Sequence, residues 1–463
     1  MTGVPHAALH RFALPLLFLL AFTVRVLYAL VIHPDALIWQ DEVNYDRIAW
    51  QLAQTGRYES PPYDATPGWP ALVAAVYVVA GHSVTAVRVV QALLGGVLVV
   101  AVTLTGTILF DRRRGLLAGA MTALYPPLIY LSAVLYADHL AAVLIALTVC
   151  TLAWWRRDQL ALAAVLAGLL LGVNALTRPV YLLLVPVAAA YLIIETARMR
   201  RARAVARREP AGEPGARGET GAPAQALPRQ RHALLLCAVA GAVVLPWTVR
   251  NAIVHEGRFV PVATGFGLHL WRGNNELARG NADDRHLEPL DDLWHARAQE
   301  LPVAERARLT DRVSTLRREI DTLHPVDQDA RLRTEALRII GADPLRFVRL
   351  SVRRLVTLYS PFSRIDTPNH VRTTAARLIA ALSFLPVLAL GLAGAVLTLR
   401  AAPATWIVHA TVLMPTLVYA VLTAATRFRL PIDTLWILLA SFSVITLLDR
   451  VRFGRRGATA APA

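Results

Sequence analysis

Long apolar runs alternate with short polar segments along almost the whole chain. The first run, from Leu14 to Ile32, is long enough to cross a bilayer as a helix. The repeated pattern predicts an all-α polytopic membrane protein with about ten to twelve transmembrane helices. The clearest predicted spans are 14–33, 84–110, 115–135, 139–155, 159–176, 179–194, 233–249, 373–399, 403–423 and 430–449.

Three further stretches are predicted to be interfacial helices. Residues 42–55 carry apolar side chains at helical spacing and stop at Gly56, which predicts an amphipathic helix at the membrane surface. Residues 70–80 are apolar but too short to span, so we expect a partly embedded helix. Residues 346–356 alternate arginines with apolar residues. That pattern is typical of a basic helix suited to polyprenyl phosphate or anionic lipid, and equally of an ordinary interfacial anchor.

These elements divide the chain into three predicted parts. Residues 1–249 form a transmembrane module with a first outer loop (34–81) and a linker (198–231) of disordered composition. Residues 250–371 form an extracytoplasmic loop domain, and 372–463 form the last transmembrane helices and a basic cytoplasmic tail. With ten spans, the arginine clusters fall on one side, which the positive-inside rule assigns to the cytoplasm. We therefore expect a bacterial inner-membrane protein whose active site faces the periplasm or exterior.

The composition agrees with a membrane protein, and the placement of the charges disfavours a nucleic-acid-binding protein. The chain of 463 residues is 56% hydrophobic and has a mean hydropathy of +0.46. Its net charge of +16 would also fit a nucleic-acid-binding protein, but the charges lie at the ends of apolar runs, where orientation signals belong. The two cysteines, Cys150 and Cys237, both lie within apolar runs, so no disulfide framework is expected.

The predicted outer side carries both acids and cations. A carboxylate can deprotonate a hydroxyl, and an arginine can hold a phosphate bidentately, so the combination suits transfer from a phosphate-activated donor. An outward-facing site has no nucleotide supply, which favours a lipid phosphate as donor. The residues concerned are Asp41, Glu42, Asp138, His139, Arg178, Arg250, Arg427 and Arg429.

The same residues would also fit two other functions, and they could form a metal site. A transporter or flippase for a lipid-linked or anionic solute could show the same residues, although the chain shows no internal repeat of the kind that transporters carry. A non-catalytic scaffold subunit is the third alternative, against which the adjacent Asp41 and Glu42 argue. Asp41 and Asp138, with Glu42 and His139, could hold a divalent cation if they converge.

Short motifs in order along residues 20–435 resemble those of GT-C integral-membrane glycosyltransferases. The nearest branch is glycosyltransferase family 39, with protein O-mannosyltransferases, aminoarabinose-transferase-like enzymes and RgtA-like bacterial members. The motifs are Asp41-Glu42 with Tyr45, Gly56-Arg57-Tyr58, Pro67-Gly68-Trp69-Pro70, Tyr136-Ala137-Asp138-His139-Leu140, Thr177-Arg178-Pro179, Pro246-Trp247-Thr248-Val249-Arg250-Asn251, Leu270-Trp271-Arg272-Gly273-Asn274-Asn275 and Arg427-Phe428-Arg429-Leu430-Pro431-Ile432-Asp433.

The resemblance implies a GT-C fold and an inverting hexosyl or pentosyl transfer from a polyprenyl-phosphate-linked donor. The acceptor would be a glycolipid, polysaccharide or protein outside the cytoplasm. It implies that Asp41 is the general base, that Glu42 assists or orients it, and that Asp138, beside His139, is the second acidic position. This second acid would position the donor or a metal, and it is often Glu in the family. The implied donor-phosphate ligands are Arg178, Arg250, Arg427 and Arg429, and the implied supports of the first loop are Tyr45, Tyr58 and Trp69.

Overall fold

The computed structural model describes residues 6–32, 36–37, 39–59, 66–206, 230–361 and 374–458. Within these ranges the regular structure is helical, with no strand. The helices are α1 (His6–Leu27), α2 (Gln40–Thr55), α3 (Gly68–Ala80), α4 (Val84–Leu109), α5 (Arg112–Leu124), α6 (Pro126–Leu131), α7 (Ala137–Asp158), α8 (Ala161–Thr177), α9 (Leu184–Ala206), α10 (Arg231–Val254), α11 (Phe266–Asn274), α12 (Asp292–Ala298), α13 (Val303–Asp321), α14 (Pro325–Ala342), α15 (Pro344–Leu358), α16 (Thr374–Ala401), α17 (Trp406–Val421) and α18 (Leu430–Ala458).

Eight helical stretches in the described residues are long and apolar enough to cross a membrane, which confirms the predicted all-α polytopic class. A further apolar helix, α8, has 17 residues. The eight stretches are Phe12–Ile32, Val84–Leu109, Ala137–Asp158, Pro179–Ala202, Arg231–Val254, Thr374–Ala401, Pro403–Val421 and Thr426–Val451.

The predicted continuous helix over 115–135 is wrong, because the chain breaks there into α5 and α6. Tyr125 is extended between them, since Pro126 disfavours a helical conformation in the residue before it and lacks an N–H to continue the ladder. Arg113 pairs with Asp449 at 3.2 Å, and the Tyr125 hydroxyl donates to Asp433 Oδ2 at 3.1 Å. These two contacts place α5 antiparallel alongside α18, so α5 and α6 together occupy the position of a further crossing.

A buried arginine of α1 binds the backbone that this break leaves open. Arg25 is fully buried, and its guanidinium donates to Ala123 O at 3.1 Å and to Thr122 O at 3.2 Å, at the C-terminal end of α5. Gly95 makes room for it, because a Cβ there would lie 2.3 Å from Arg25 Cδ. A charge within a span is thus satisfied inside the protein instead of facing lipid.

The segment predicted as the first outer loop forms the two helices that the sequence predicts. Helix α2 ends at Gly56, whose φ of +67° is a left-handed cap that glycine adopts without strain. Helix α3 begins at Gly68, two residues before the predicted start. The predicted linker needs a correction, because α9 continues to Ala206 and residues 198–206 are helical. The rest of that prediction, over 207–229, lies outside the described residues.

The segment between α10 and α16, predicted to be extracytoplasmic, forms helices α11 to α15 around a small core of its own. Helix α11 packs on α14, and Gly267 allows the close approach, because a Cβ there would overlap the Asp329 carbonyl oxygen. The core includes Leu268, Leu270, Trp271, Leu287, Trp294, Leu316 and Leu332. The segment is therefore a packed helical body beside the membrane spans.

Candidate active site

Two acid–arginine pairs bring together four of the residues that the sequence singles out. Asp41 Oδ2, at the start of α2, lies 2.5 Å from Arg427 Nη1. Asp138 Oδ2, in the first turn of α7, lies 2.5 Å from Arg178 Nη2. Both guanidiniums lie against the ring of Phe428, with Cζ-to-centroid distances of 5.9 Å for Arg178 and 5.3 Å for Arg427. The two pairs therefore form one cluster, which we call the paired-acid site.

Glu42 lies next to Asp41 but is used differently. It is fully buried, and its two carboxylate oxygens accept hydrogen bonds from the backbone N–H of Trp39 at 3.1 Å and of Leu135 at 2.9 Å. The first bond is the return half of a capping box, which fixes the start of α2. Glu42 therefore orients the segment that carries Asp41, while the side chain of Asp41 itself is 42% exposed.

Leu135 is also held through its carbonyl group. Trp69 is almost completely buried, and its indole N–H donates to Leu135 O at 3.2 Å. Glu42 and Trp69 thus fix both polar groups of a residue just before Asp138. This arrangement gives the predicted first-loop support, Trp69, a specific structural task.

The turn that carries Arg178 is bonded to the segment that precedes α3. Helix α8 ends at Thr177, and Pro179 prevents its direct continuation. Thr66 Oγ1 donates to Thr177 O at 2.8 Å, and a Cβ on Gly68 would lie 2.5 Å from Thr177 Oγ1. Only glycine at position 68 therefore lets the loop approach close enough to set the direction of Arg178.

Three residues predicted for the site have other contacts. Arg429 is buried, and its Nε donates to Asp433 Oδ1 at 2.9 Å, so it forms a separate ion pair. Arg250 donates to Tyr58 O at 3.0 Å and stacks on the Trp247 ring at 4.8 Å. His139 is fully buried and its Nε2 lies 2.8 Å from Gln91 O. The structure does not bring these side chains into the paired-acid site.

Of the two predicted tyrosines, Tyr45 interacts with the paired-acid site and Tyr58 makes its contacts elsewhere. Tyr45 interacts electrostatically with the charged groups of the site, which are Arg178, Asp41, Asp138 and Arg427. Burial raises the pKa of the Tyr45 hydroxyl, so this group stays protonated. The Tyr58 hydroxyl donates to Thr66 O at 3.2 Å, and its ring meets Trp247 edge to face at 5.0 Å. Tyr58 therefore ties the first loop to α10 instead of facing the acids.

The segment from α11 to α15 adds two residues that the sequence reasoning missed. Arg285 acts electrostatically on Asp41, and its Nη1 is buried without a hydrogen-bond partner in the described part of the chain. His269 of α11 feels the charges of Arg178 and Arg427, and its Nδ1 is likewise buried and unpaired there. His269 directly precedes a motif that was recognised, whereas Arg285 lies in a strongly charged stretch where nothing distinguishes it from its neighbours.

Arg285 is held in place by a buried ion pair beside it. Asp284 and Arg297 are both buried, and their side chains meet at 2.7 Å. Asp284 also accepts hydrogen bonds from the backbone N–H of Arg279 at 3.1 Å and of Gly280 at 2.6 Å. A carboxylate with this many donors is rigid, and it fixes the short turn that carries Arg285 over the site.

The local electrostatics keep Asp41 ionised and His269 neutral. Burial alone would raise the pKa of Asp41, but the charge and hydrogen bond of Arg427, with help from Arg178 and Arg285, lower it below its ordinary value. Burial, followed by the charges of Arg272, Arg178 and Arg427, lowers the pKa of His269 to about 3. Burial also lowers the pKa of Arg285, to about 10, which leaves it charged at neutral pH.

The residues at this site do not fit a metal centre well. In the described ranges no three side chains of His, Cys, Asp and Glu gather where they could hold one ion. Asp41 and Asp138 are each neutralised by an arginine, which takes the place that a cation would have. Asp41 and Asp138 thus serve as partners of arginines in this structure.

Comparison with known proteins identifies the fold. A family model described as dolichyl-phosphate-mannose-protein mannosyltransferase matches residues 64–206, which is less than half of the chain. No curated protein sequence matches this chain. Archaeal oligosaccharyltransferase AglB from Archaeoglobus fulgidus, solved with an inhibitory peptide and a dolichol-phosphate, superposes with a TM-score of 0.55 at 14% identity over 100% of this chain and 53% of AglB. The chain thus spans about half the length of AglB.

A second solved structure is more distant in shape. ArnT from Cupriavidus metallidurans, bound to undecaprenyl phosphate, is 16% identical over 95% of this chain and 78% of ArnT, with a TM-score of 0.39, too low to carry a fold argument. The AglB superposition shows the fold that the resemblance implies, and the family-model match over residues 64–206 agrees with it. The chain has the fold of the GT-C membrane glycosyltransferases.

Proposed function

We propose that the protein transfers a sugar, with inversion, from a polyprenyl-phosphate-linked donor to a hydroxyl of an acceptor outside the cytoplasm. Asp41 takes the proton from the acceptor hydroxyl. Arg178 and Arg427 bind the donor phosphate, and Asp138 orients Arg178. The acceptor would be a glycolipid, polysaccharide or protein.

The observation that carries this proposal is the pairing of a partly exposed carboxylate with a mostly buried arginine at one point of the site. A general base must be deprotonated and reachable, and Asp41 meets both conditions. Departure of a polyprenyl phosphate builds negative charge on its oxygens. Preorganised cations at that place stabilise the transition state more than the ground state.

The arginines retain hydrogen-bonding capacity for a phosphate. The Nε atoms of Arg178 and Arg427 are both buried without a partner among the described residues. A phosphate that approached them could accept the two N–H groups, and arginine suits such planar, paired contacts. The pairs with Asp41 and Asp138 hold both guanidiniums in place before the donor arrives.

Donor binding would also activate the base. A phosphate that shares Arg427 weakens the hold of this arginine on Asp41, so the pKa of Asp41 rises toward its ordinary value and the carboxylate becomes more basic. The base would thus gain strength when the leaving group is in place.

His269 and Arg285 would form the wall of the site opposite the membrane module. His269 is neutral, so it can exchange hydrogen bonds with sugar or acceptor hydroxyls without adding charge. Arg285 would add positive potential beside Asp41. Fold similarity supports the donor class, since the AglB structure contains a dolichol-phosphate, which is a polyprenyl phosphate.

The site is proposed to face the periplasm or exterior of a bacterial inner membrane. The paired-acid site lies where α2 and α7 begin and where the chain enters α18. Arginines cluster at the opposite ends of the spans, where Arg156 and Arg198 both pair with Glu195. The positive-inside rule supports placing that opposite end in the cytoplasm.

The test is a donor screen in nanodiscs. Wild type and Asp41→Asn receive polyprenyl-phosphate-linked mannose, glucose, galactose or aminoarabinose, each with and without a chelator, together with envelope glycolipid and peptide acceptors. Release of polyprenyl phosphate by wild type alone supports the proposal, names the sugar and reports on metal use. Transbilayer movement of the donor without release, measured with the same protein in sealed liposomes, would instead support a flippase.

A further inference from the structure

Helix α15 presents an apolar stripe that no described part of the chain covers. Leu345, Val348, Val352 and Val356 lie on one face at helical spacing, and each is between 53% and 67% exposed. The opposite face is buried through Leu350, Arg354 and Leu358. A contiguous apolar stripe of this kind is uncommon on a surface that faces water.

The position of α15 relative to the spans indicates what this stripe faces. Arg354, on the buried side, donates to Ala420 O and Val421 O, both at 2.7 Å, and Val421 is the last residue of a candidate span. The Tyr359 hydroxyl lies 2.8 Å from Thr416 Oγ1, one turn further into that span. Helix α15 therefore lies at the depth where hydrocarbon gives way to headgroups.

Two arginines flank the stripe on one side. Arg349 and Arg353 are both exposed, and they follow Val348 and Val352 directly in the sequence. Arg349 lies 3.8 Å from Asp343 Oδ2, a distance that leaves most of its donors accessible. An apolar face beside basic residues at this depth is complementary to an anionic lipid surface.

We propose that α15 docks on the outer leaflet and selects anionic phospholipid headgroups through Arg349 and Arg353. The apolar stripe enters the acyl boundary, and the arginines hold lipid phosphates beside it. Helix α15 also holds the entry to α18, because Arg429 donates to Leu358 O at 3.4 Å and to Ser360 O at 3.2 Å. Lipid bound here would steady the segment that carries Arg427.

The test uses the full chain in nanodiscs and measures lipid contact, so it does not depend on transfer activity. A fluorophore is attached at Val352→Cys in a Cys150→Ser/Cys237→Ser background, with Val303→Cys as the control site. Val303 begins α13 and is 72% exposed. Quenching is measured with aqueous iodide, with brominated phosphatidylcholine and with brominated phosphatidylglycerol, each brominated lipid at the same mole fraction.

We expect the label at 352 to be shielded from iodide and quenched by brominated lipid, and the label at 303 to show the reverse. Brominated phosphatidylglycerol should quench more strongly, because local enrichment is about fivefold for each arginine near anionic lipid. Arg349→Gln/Arg353→Gln should abolish the difference between the two lipids. The matched pair Arg308→Gln/Arg318→Gln, which removes two exposed charges from α13, should preserve it.

Three results would overturn the proposal. Iodide quenching at 352 equal to that at 303 would place the stripe in water. Shielding from both iodide and lipid would mean that protein covers it. Equal quenching by the two brominated lipids would show that the arginines do not select anionic headgroups.

Discussion

Glu42 Oε1 accepts a hydrogen bond of 2.9 Å from the backbone N–H of Leu135, a residue 93 positions later in the chain. This single contact joins the start of α2, which carries Asp41, to the turn before α7, which carries Asp138. Two adjacent acids thus have separate tasks: Glu42 is buried and structural, and Asp41 is reachable and available for chemistry. Their substitutions should therefore have different consequences.

Replacement of Asp41 by Asn should abolish transfer while leaving folding intact. The amide keeps the size of the side chain but cannot accept a proton, and a positioned general base contributes about 100- to 10,000-fold to rate. The measurement is release of polyprenyl phosphate together with donor binding by the purified protein. Glu59→Gln, an exposed change in the same outer loop, is the control. Turnover by Asp41→Asn within a few-fold of wild type would remove Asp41 as the base.

Replacement of Glu42 by Gln should lower both stability and activity. An amide offers one acceptor where the carboxylate offers two, so either Trp39 N–H or Leu135 N–H is left unpaired in a buried place. An unsatisfied buried donor costs about 1–3 kcal/mol. The thermal midpoint in detergent should therefore fall further for Glu42→Gln than for Asp41→Asn, whose amide oxygen can still accept a hydrogen bond from Arg427. Equal midpoints for Glu42→Gln and wild type would contradict the structural role.

The pH dependence of transfer should depend on Arg427. In wild type the lowered pKa of Asp41 keeps the base ionised, and its contribution is lost only as pH falls through that lowered value. Arg427→Gln removes the cation that offsets the effect of burial on Asp41, so the pKa of Asp41 should rise. The acid limb of kcat/KM against pH should then move upward by about 1–3 units. An acid limb that stays in place would mean that Arg427 does not set the ionisation of Asp41.

The fold class and the residues of the acid–arginine cluster could be predicted from the sequence, because apolar runs and short motifs are local features of the chain. Apolar runs mark the spans, Gly56 ends α2, and the motifs around Asp41, Asp138, Arg178 and Arg427 led to residues that do meet. The break at Tyr125 was also readable, since Pro126 follows it, but the apolar run across it concealed the change. Local pattern thus sufficed wherever the determining residues are neighbours in the chain.

The sequence did not predict which contact each of several similar residues makes. Arg427 and Arg429 belong to one motif, yet one pairs with Asp41 and the other with Asp433. His269 and Arg285 come to the site only because the segment from α11 to α15 packs as a body and the Asp284–Arg297 pair fixes one turn. These outcomes depend on tertiary packing between distant segments, which periodicity and spacing do not encode.

Arg178 is expected to act on the donor, and its removal should also lower stability, because Arg178→Gln leaves the buried carboxylate of Asp138 without its charged partner. Arg178→Gln removes one charged hydrogen-bonding partner of the phosphate, an interaction of about 1.5–3 kcal/mol, so donor KM should rise roughly 10- to 100-fold. Arg250→Gln provides the comparison, because Arg250 binds Tyr58 O and lies outside the paired-acid site. A donor KM that is unchanged in Arg178→Gln, or raised equally in Arg250→Gln, would contradict the assignment of the phosphate to Arg178.

Arg429 should instead prove to be a structural residue. Arg429→Gln leaves Asp433 as a buried carboxylate whose described partner is the Tyr125 hydroxyl, and breaking a buried ion pair from one side costs about 3–5 kcal/mol. The thermal midpoint should fall sharply while donor KM of the folded fraction stays near wild type. Adding Asp433→Asn removes the stranded charge, so the double variant should recover much of the lost stability. A raised donor KM with an unchanged midpoint would return Arg429 to the phosphate site, and a double variant less stable than Arg429→Gln would show that the buried charge is not the cause.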